Sequence, residues 1–298
     1  MGCYKKLNKG SDRNILVVWM LAIVIVLCAC DSNKDLTNEE IIHVAVLPDQ
    51  NEVHLRARYQ PLLDYLKSHA NLNAKLLIPA DYTQLLDWFD DKKIDLAMFG
   101  GVTYVKAHIR SNASALVMRD VDGRFRSVGL VRVENPADNF KQLKGESLAF
   151  GSRLSTSGHL MPRHYFSLEQ IIPETYFSEI KYSDAHDRTA EWVRDGKVDF
   201  GVANSGVVNE MFLDGRLSKD KVKVIWESPP FSDYVWAVQS DISKPLRTLI
   251  RDAFLHMNQD QAEYALLQRL GANYYIPAKH QDFSVLEDVV IVMGQDNF

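Results

Sequence analysis

Short apolar runs alternate with stretches of helical spacing along most of this chain, and that alternation leaves few folds open. Runs at 42–47, 75–78, 94–99, 115–118, 147–150, 198–202, 222–226 and 235–238 have the length and composition of strands. Between several of them the apolar residues fall three or four apart, as Leu85, Leu86 and Phe89 do. Strands alternating with helices predict an α/β fold with largely parallel sheets. Asp122-Gly123 reads as a hairpin turn joining 116–118 to 126–133. Three helical stretches near 244–257, 260–270 and 283–293 are expected on the outside. With 298 residues, 46% of them apolar, the chain can bury one large core or two modest ones. It is too apolar and too evenly charged to be disordered.

The alternation repeats. Residues 88–95 read WFDDKKID and residues 192–199 read WVRDGKVD, so Trp88/Trp192, Asp91/Asp195, Lys93/Lys197 and Asp95/Asp199 share one offset of 104. The same shift lays 44–47 on 148–151. Two similar lobes are expected, one from 41–125 with 230–298 and the other from 126–229. In parallel α/β sheets ligands sit beyond the carboxyl ends of the strands. Those ends fall at 48–55, 79–83 and 99–104 in one lobe and at 151–158, 184–187 and 203–206 in the other. If the lobes face one another, these loops line a single cleft.

The first thirty residues read as an address rather than as part of the fold. Lys5, Lys6, Lys9 and Arg13 precede an apolar run at 15–27, too short for the roughly 20 residues a membrane-spanning helix needs. The run ends in Leu27-Cys28-Ala29-Cys30, which resembles the lipobox of bacterial lipoproteins and makes Cys30 the expected lipidation site. That gives a signal peptide at 1–29 and a polar tether at 30–40. Asp31 behind the lipidated cysteine resembles an inner-membrane retention signal of enteric-type lipoproteins. Position 6 is Lys6, against a myristoylation motif at Met1-Gly2. Cys3, Cys28 and Cys30 are the only cysteines, so the part after Cys30 has no disulfide, thiolate nucleophile or thiolate metal site. The head is net +3, which leaves −8 of the total −5 on the remainder. That balance excludes non-specific nucleic-acid binding.

Ser155-Thr156-Ser157-Gly158 follows a strand and opens a helical stretch running to about Glu169. A helix start carries unpaired N–H groups and partial positive charge, so it attracts an oxyanion. Three hydroxyls in a row add donors without charge, where an ordinary cap needs one. His186 opens the next helix, where an imidazole can donate to an oxyanion. Tyr82 lies at the partner position in the first lobe under the offset of 104. Asp233 follows Ser228-Pro229-Pro230, and a carboxylate there selects an anion that still carries a proton or a donor group. His159 and His164 lie five apart, off one helix face, so no metal site is expected. No cofactor motif is present.

These residues sit in longer segments: RYQPLLDYL (58–66), PADY (79–82), KKIDLAMFGG (92–101), FGSRLSTSG (150–158), AHDRTAEWVRDGKVD (185–199) and VIWESPP (224–230). Over nearly the whole region after Cys30 the chain resembles the PhnD-type phosphate/phosphite/phosphonate substrate-binding proteins of ABC transporters. The resemblance implies a two-lobed, type II periplasmic-binding-protein fold and no enzymatic activity. It implies that Ser155, Thr156, Ser157 and His186 hold the phosphorus oxygens, with Tyr82 and Asp233 as further contacts. Asn204 and Tyr234, on the adjoining cleft segments, join the ligand-binding set. So does Phe125, which stands where aminoalkylphosphonate binders tend to have a contacting tyrosine. Gly206 stands where such proteins carry a glutamate for the ligand amine. The expected ligand is therefore phosphite, phosphate or a small phosphonate rather than 2-aminoethylphosphonate. The expected partners are an ABC permease and ATPase, with a monomer held to the periplasmic face of the inner membrane by its lipid. A lipoprotein sensor for a membrane receptor would use the same closure. A serine hydrolase is remote, since Gly151-Ser152-Arg153-Leu154-Ser155 is not a G-x-S-x-G elbow.

Overall fold

The computed structural model describes residues 1–2 and 41–293. The expected signal peptide, Cys30 and the tether lie outside these residues. The chain runs β1 (Ile42–Val46), α1 (Glu52–Ala70), β2 (Ala74–Leu77), α2 (Tyr82–Asp90), β3 (Leu96–Phe99), α3 (Gly101–Ser111) and β4 (Ser114–Arg119). It continues through β5 (Ser127–Arg132), β6 (Ser147–Phe150), α4 (Met161–Leu168), α5 (Pro173–Tyr176), β7 (Glu179–Tyr182), α6 (His186–Arg194), β8 (Phe200–Asn204), α7 (Ser205–Leu213) and β9 (Val222–Glu227). It ends with β10 (Val235–Val238), α8 (Lys244–His256), α9 (Tyr264–Arg269), β11 (Tyr275–Pro277) and α10 (Ser284–Met293).

Two sheets result, ordered β11-β4-β10-β3-β1-β2 and β7-β6-β8-β5-β9. Each is the centre of a lobe flanked by helices. The sheets are mixed rather than mainly parallel. Pairing is parallel among β1, β2 and β3 and among β6, β7 and β8, while β10, β11 and β5 run antiparallel to their neighbours. The cause is the two crossovers between lobes. Strands β5 and β10 enter their sheets at the carboxyl ends of the neighbours, so that Ser127 lies opposite Asn204 and Val235 opposite Phe99.

The hairpin expected at Asp122-Gly123 does not form, because β4 and β5 belong to different sheets. Asp122 is buried and accepts both the Arg119 N–H at 2.9 Å and its guanidinium at 2.6 Å. That closes a tight turn aimed at the second lobe. Just beyond it Phe125 and Phe231 exchange backbone hydrogen bonds of 2.8 and 2.9 Å, tying the two crossovers together.

The repeat is visible in the strand order: β2-β1-β3 followed by antiparallel β10 matches β7-β6-β8 followed by antiparallel β5. Its turn chemistry matches too. Lys93 and Lys197 N–H groups bond back to the Trp88 and Trp192 carbonyls at 2.9 and 2.8 Å. Asp95 Oδ2 then accepts the His43 N–H at 2.7 Å, and Asp199 Oδ2 the Ser147 N–H at 3.0 Å. Each carboxylate therefore fixes the start of the neighbouring strand. One large apolar cluster fills the first lobe, and two line the faces of the second sheet. Replacing Asp95 by Ala is expected to cost about 1–2 kcal/mol, one half-exposed charged hydrogen bond, and replacing Asp199, which also accepts from the Ser147 hydroxyl at 2.6 Å, at least as much. Urea unfolding of each variant checks this, and an unchanged midpoint contradicts the assigned role.

Candidate functional site

Helix starts from both lobes meet between the sheets. Tyr82 and His186 are the first residues of α2 and α6, each beyond a strand of its own lobe. Asn204 ends β8 and caps α7 by accepting the Val207 N–H at 3.0 Å. Gly100 offers α3 no capping side chain, and Asp233 supplies the acceptor instead, taking the Gly101 N–H at 2.9 Å. Ser155 caps the fifth start through its bond from the Gly158 N–H, 3.0 Å. Residues Thr156–Leu160 wind as one π-helical turn that leads into α4.

The three consecutive hydroxyls are not equivalent. Ser155 Oγ is engaged as the cap, and Thr156 Oγ1 accepts the Val102 N–H from the opposite lobe at 3.0 Å. Ser157 Oγ is buried with no hydrogen-bond partner. Gly158 is required by close approach, because a Cβ there would stand 2.8 Å from His186 Cε1.

His186 is 1% exposed, and burial lowers its pKa to about 4. The ring is neutral at physiological pH. Its Nδ1 lies 3.3 Å from the Asn204 N–H and so acts as acceptor, which assigns the proton to Nε2, 3.5 Å from Ser155 Oγ. Asp233 shifts the other way. Burial, with the nearby Asp122 charge, raises its pKa to about 7, against the downward pull of the Gly101 N–H and the Thr156 and Ser157 hydroxyls, although the Ser157 contact falls short of normal hydrogen-bond geometry. Tyr82 is also buried, its hydroxyl near Ser155 but without a hydrogen bond of normal geometry, and desolvation with the nearby Asp49 and Asp233 holds it protonated.

All nine residues expected at the ligand are buried. Tyr82, Ser155, Thr156, Ser157, His186 and Asp233 bring polar groups to one place. Asn204 Nδ2 donates to the Tyr234 hydroxyl at 2.8 Å, and that hydroxyl donates to Asp49 Oδ2 at 2.6 Å. Phe125 supplies an apolar wall, its ring edge-on to Tyr234 at 5.4 Å. The same ring covers Gly206, where an added Cβ would lie 3.5 Å from Phe125 Cζ. The two departures from the aminoalkylphosphonate pattern are thus one packing arrangement.

Asp49 and Gln50 escaped the sequence reading, although both lie in the loop after β1 that the strand-end rule singles out. Nor did the sequence reveal the contacts that join the lobes. The Asp49 carbonyl accepts the His186 N–H at 2.9 Å, Asp187 Oδ2 accepts the Asn51 N–H at 2.9 Å, and Arg58 pairs with Glu210. Burial raises the Asp49 carboxyl to about 6, with the Tyr234 hydroxyl and Arg58 opposing. Among the described residues one grouping has metal-ligand chemistry, His69, Asp260 and Glu263, with ligand atoms within 4.8 Å of one another. It lies at the far end of α1 from the helix starts, with His69 Nε2 3.6 Å from Glu263 Oε1.

Two α/β lobes tied by two crossovers, with helix starts from both enclosing polar groups, define a two-lobed solute-binding protein. The family model for periplasmic substrate-binding proteins of phosphonate ABC transporters matches residues 44–283, and the chain belongs to that family of binding proteins. It is 26% identical to a probable ABC transporter phosphite binding protein, PhnD1, of Prochlorococcus marinus, over 87% of this chain and 91% of that one. It is 24% identical to the phosphonates-binding periplasmic protein of Escherichia coli, over 78% and 71% of the two chains. The structure of Prochlorococcus marinus PhnD1 in complex with methylphosphonate superposes with a TM-score of 0.81 at 24% identity, covering 86% of this chain and 99% of that one.

Because the folded pKa of Asp233 lies above its unfolded value, its contribution to stability is present below about pH 4 and is lost as pH rises through about 7. Asp233→Asn cannot ionise. Its melting temperature relative to the native protein should therefore rise between about pH 5 and pH 8. A constant offset in thermal melts across that range would contradict the buried, proton-binding carboxyl.

Proposed function

We propose that this protein captures phosphite, phosphate or a small phosphonate in the cage formed by Tyr82, Ser155, Thr156, Ser157, His186 and Asp233. It then delivers the ligand to an ABC permease and ATPase. The observation that carries this reading is the pair of buried hydroxyls, Tyr82 and Ser157, that make no hydrogen bond of normal geometry within the protein, in a place where helix starts converge. Buried polar groups left unpaired are costly, and an oxyanion matches both. The methylphosphonate held by the Prochlorococcus relative supports the choice of phosphorus acid.

The donors are neutral, apart from the partial charge of the helix ends. Hydrogen bonds to a charged ligand contribute about 1.5–3 kcal/mol each. Four or five of them support micromolar binding, about −8 kcal/mol, after ordering and desolvation are subtracted. Asp233 sets the protonation state. As an acid it donates to a phosphoryl oxygen, and as a carboxylate it accepts from a protonated one. The contacts of Thr156 with Val102, His186 with Asp49 and Arg58 with Glu210 join the lobes and give the closed shape that a permease can recognise. The same reading has a monomer anchored through lipidated Cys30 at the periplasmic face of the inner membrane. The lobes divide at the crossovers near 125 and 230.

Calorimetric titration of the purified protein with phosphite and methylphosphonate tests the cage. Ser157→Ala removes a hydroxyl whose one interaction inside the protein is with the buried Asp233 carboxyl, so it should weaken binding by about tenfold or more with little change in melting temperature. His186→Ala should weaken it about tenfold to hundredfold. Native affinity in both variants would remove the cage from this place.

A further inference from the structure

Of the ion pairs among the described residues, only Arg58 with Glu210 reaches from one lobe to the other. Arg58 stands in the second turn of α1 and Glu210 in the second turn of α7. The guanidinium side chain is 16% exposed and the carboxylate side chain 39%. Neither side chain makes a hydrogen bond to a cage residue. Glu210 keeps a second cation in its own lobe, Arg216 at 3.7 Å, so its charge has a neighbour whether or not Arg58 is present. The pair can therefore act on a ligand only through the way the lobes are joined.

We propose that Arg58 and Glu210 are a positioning pair that latches the lobes over the cage and strengthens the binding of every ligand by one common factor. The proposal rests on the cage as the ligand site. The pair exists only while α1 and α7 face one another. When the lobes part, both charges return to water, because both side chains line an open groove of about 770 Å³ along the seam. Its free energy is thus added to the closed form alone. A contribution confined to one state scales the affinity of each ligand that needs that state equally, and leaves the choice among ligands to the cage. A half-buried guanidinium on a partly exposed carboxylate falls between a surface ion pair and a buried charged hydrogen bond. That sets the factor at about fivefold to tenfold.

Calorimetric titration with phosphite and with methylphosphonate tests this on the native protein, Arg58→Met, Glu210→Gln and the double variant. Methionine keeps an apolar stem where the arginine side chain packs, and glutamine keeps the shape of glutamate, so each change removes chiefly the charge. Each single variant should bind both ligands about fivefold to tenfold more weakly, by the same factor for the two. The double variant should lose no more than a single one, because either change alone breaks the pair. The melting temperature without ligand should stay nearly constant. Native affinity in either single variant overturns the latch. So does a loss that differs between the two ligands, or losses that multiply in the double variant. In each of those cases the native protein still binds and the cage stands. Failure of the native protein to bind either ligand overturns the cage, and the latch with it.

Discussion

The carboxyl of Asp233 is enclosed by protein on every side, and its placement constrains everything around it. A carboxylate this deeply buried, with the Asp122 charge nearby, is expensive, so the group keeps its proton into the neutral range. Its acceptor oxygen caps α3, where Gly100 cannot. The same residue thus completes a helix in the first lobe and sets the charge of the space between lobes. Around it the remaining groups are hydroxyls, a neutral imidazole and helix-start amides, none carrying a full positive charge. Such a site attracts an anion without trapping it as an arginine cluster would, which suits a carrier that must release its cargo.

The repeated lobe architecture explains why these groups meet. Each lobe directs the carboxyl ends of its parallel strands, and the helix starts that follow, toward the other. Tyr82 and His186 occupy equivalent first-turn positions, so the offset that relates the lobes also brings a phenol and an imidazole to opposite sides of one space. The crossovers enter at those same strand ends, which puts Phe125, Asp233 and Tyr234 beside the cage as well. The crossovers and the proposed cage are built from neighbouring residues, so whatever occupies the cage would bear directly on how the lobes are joined.

Much of this was legible in the amino-acid sequence because it is written in local chemistry. The Trp-x-x-Asp-x-Lys-x-Asp turns each close a helix and fix a strand, and their recurrence at one offset exposed the two lobes. Strands β7 and β11 were not legible. The first is a half-exposed edge with polar residues, and the second is three residues ending in proline. Asp122-Gly123 carries a genuine hairpin signal, but the partner that decides the turn is Arg119, which locks the Asp122 carboxyl. The hydroxyl run was readable as a buried polar cluster at a helix start. The division of labour among Ser155, Thr156 and Ser157 was not, because it depends on Gly158 and on Val102 of the other lobe. Asp49 and Gln50 stayed hidden for a similar reason: only the closed tertiary arrangement leaves their polar atoms buried and unmatched.

On the reading proposed for the cage, one proton, carried by Asp233 or by the ligand, must be present for a tetrahedral anion to be held. Sulfate brings no proton, so Asp233 must take one up to hold it, at a loss of about tenfold in affinity for each pH unit above about 7. Calorimetric titration of the native protein and of Asp233→Asn with sulfate from about pH 6 to about pH 9 measures this. Sulfate affinity should fall about hundredfold between about pH 7 and about pH 9 in the native protein and stay nearly constant in Asp233→Asn. A native affinity for sulfate that does not change with pH would contradict it.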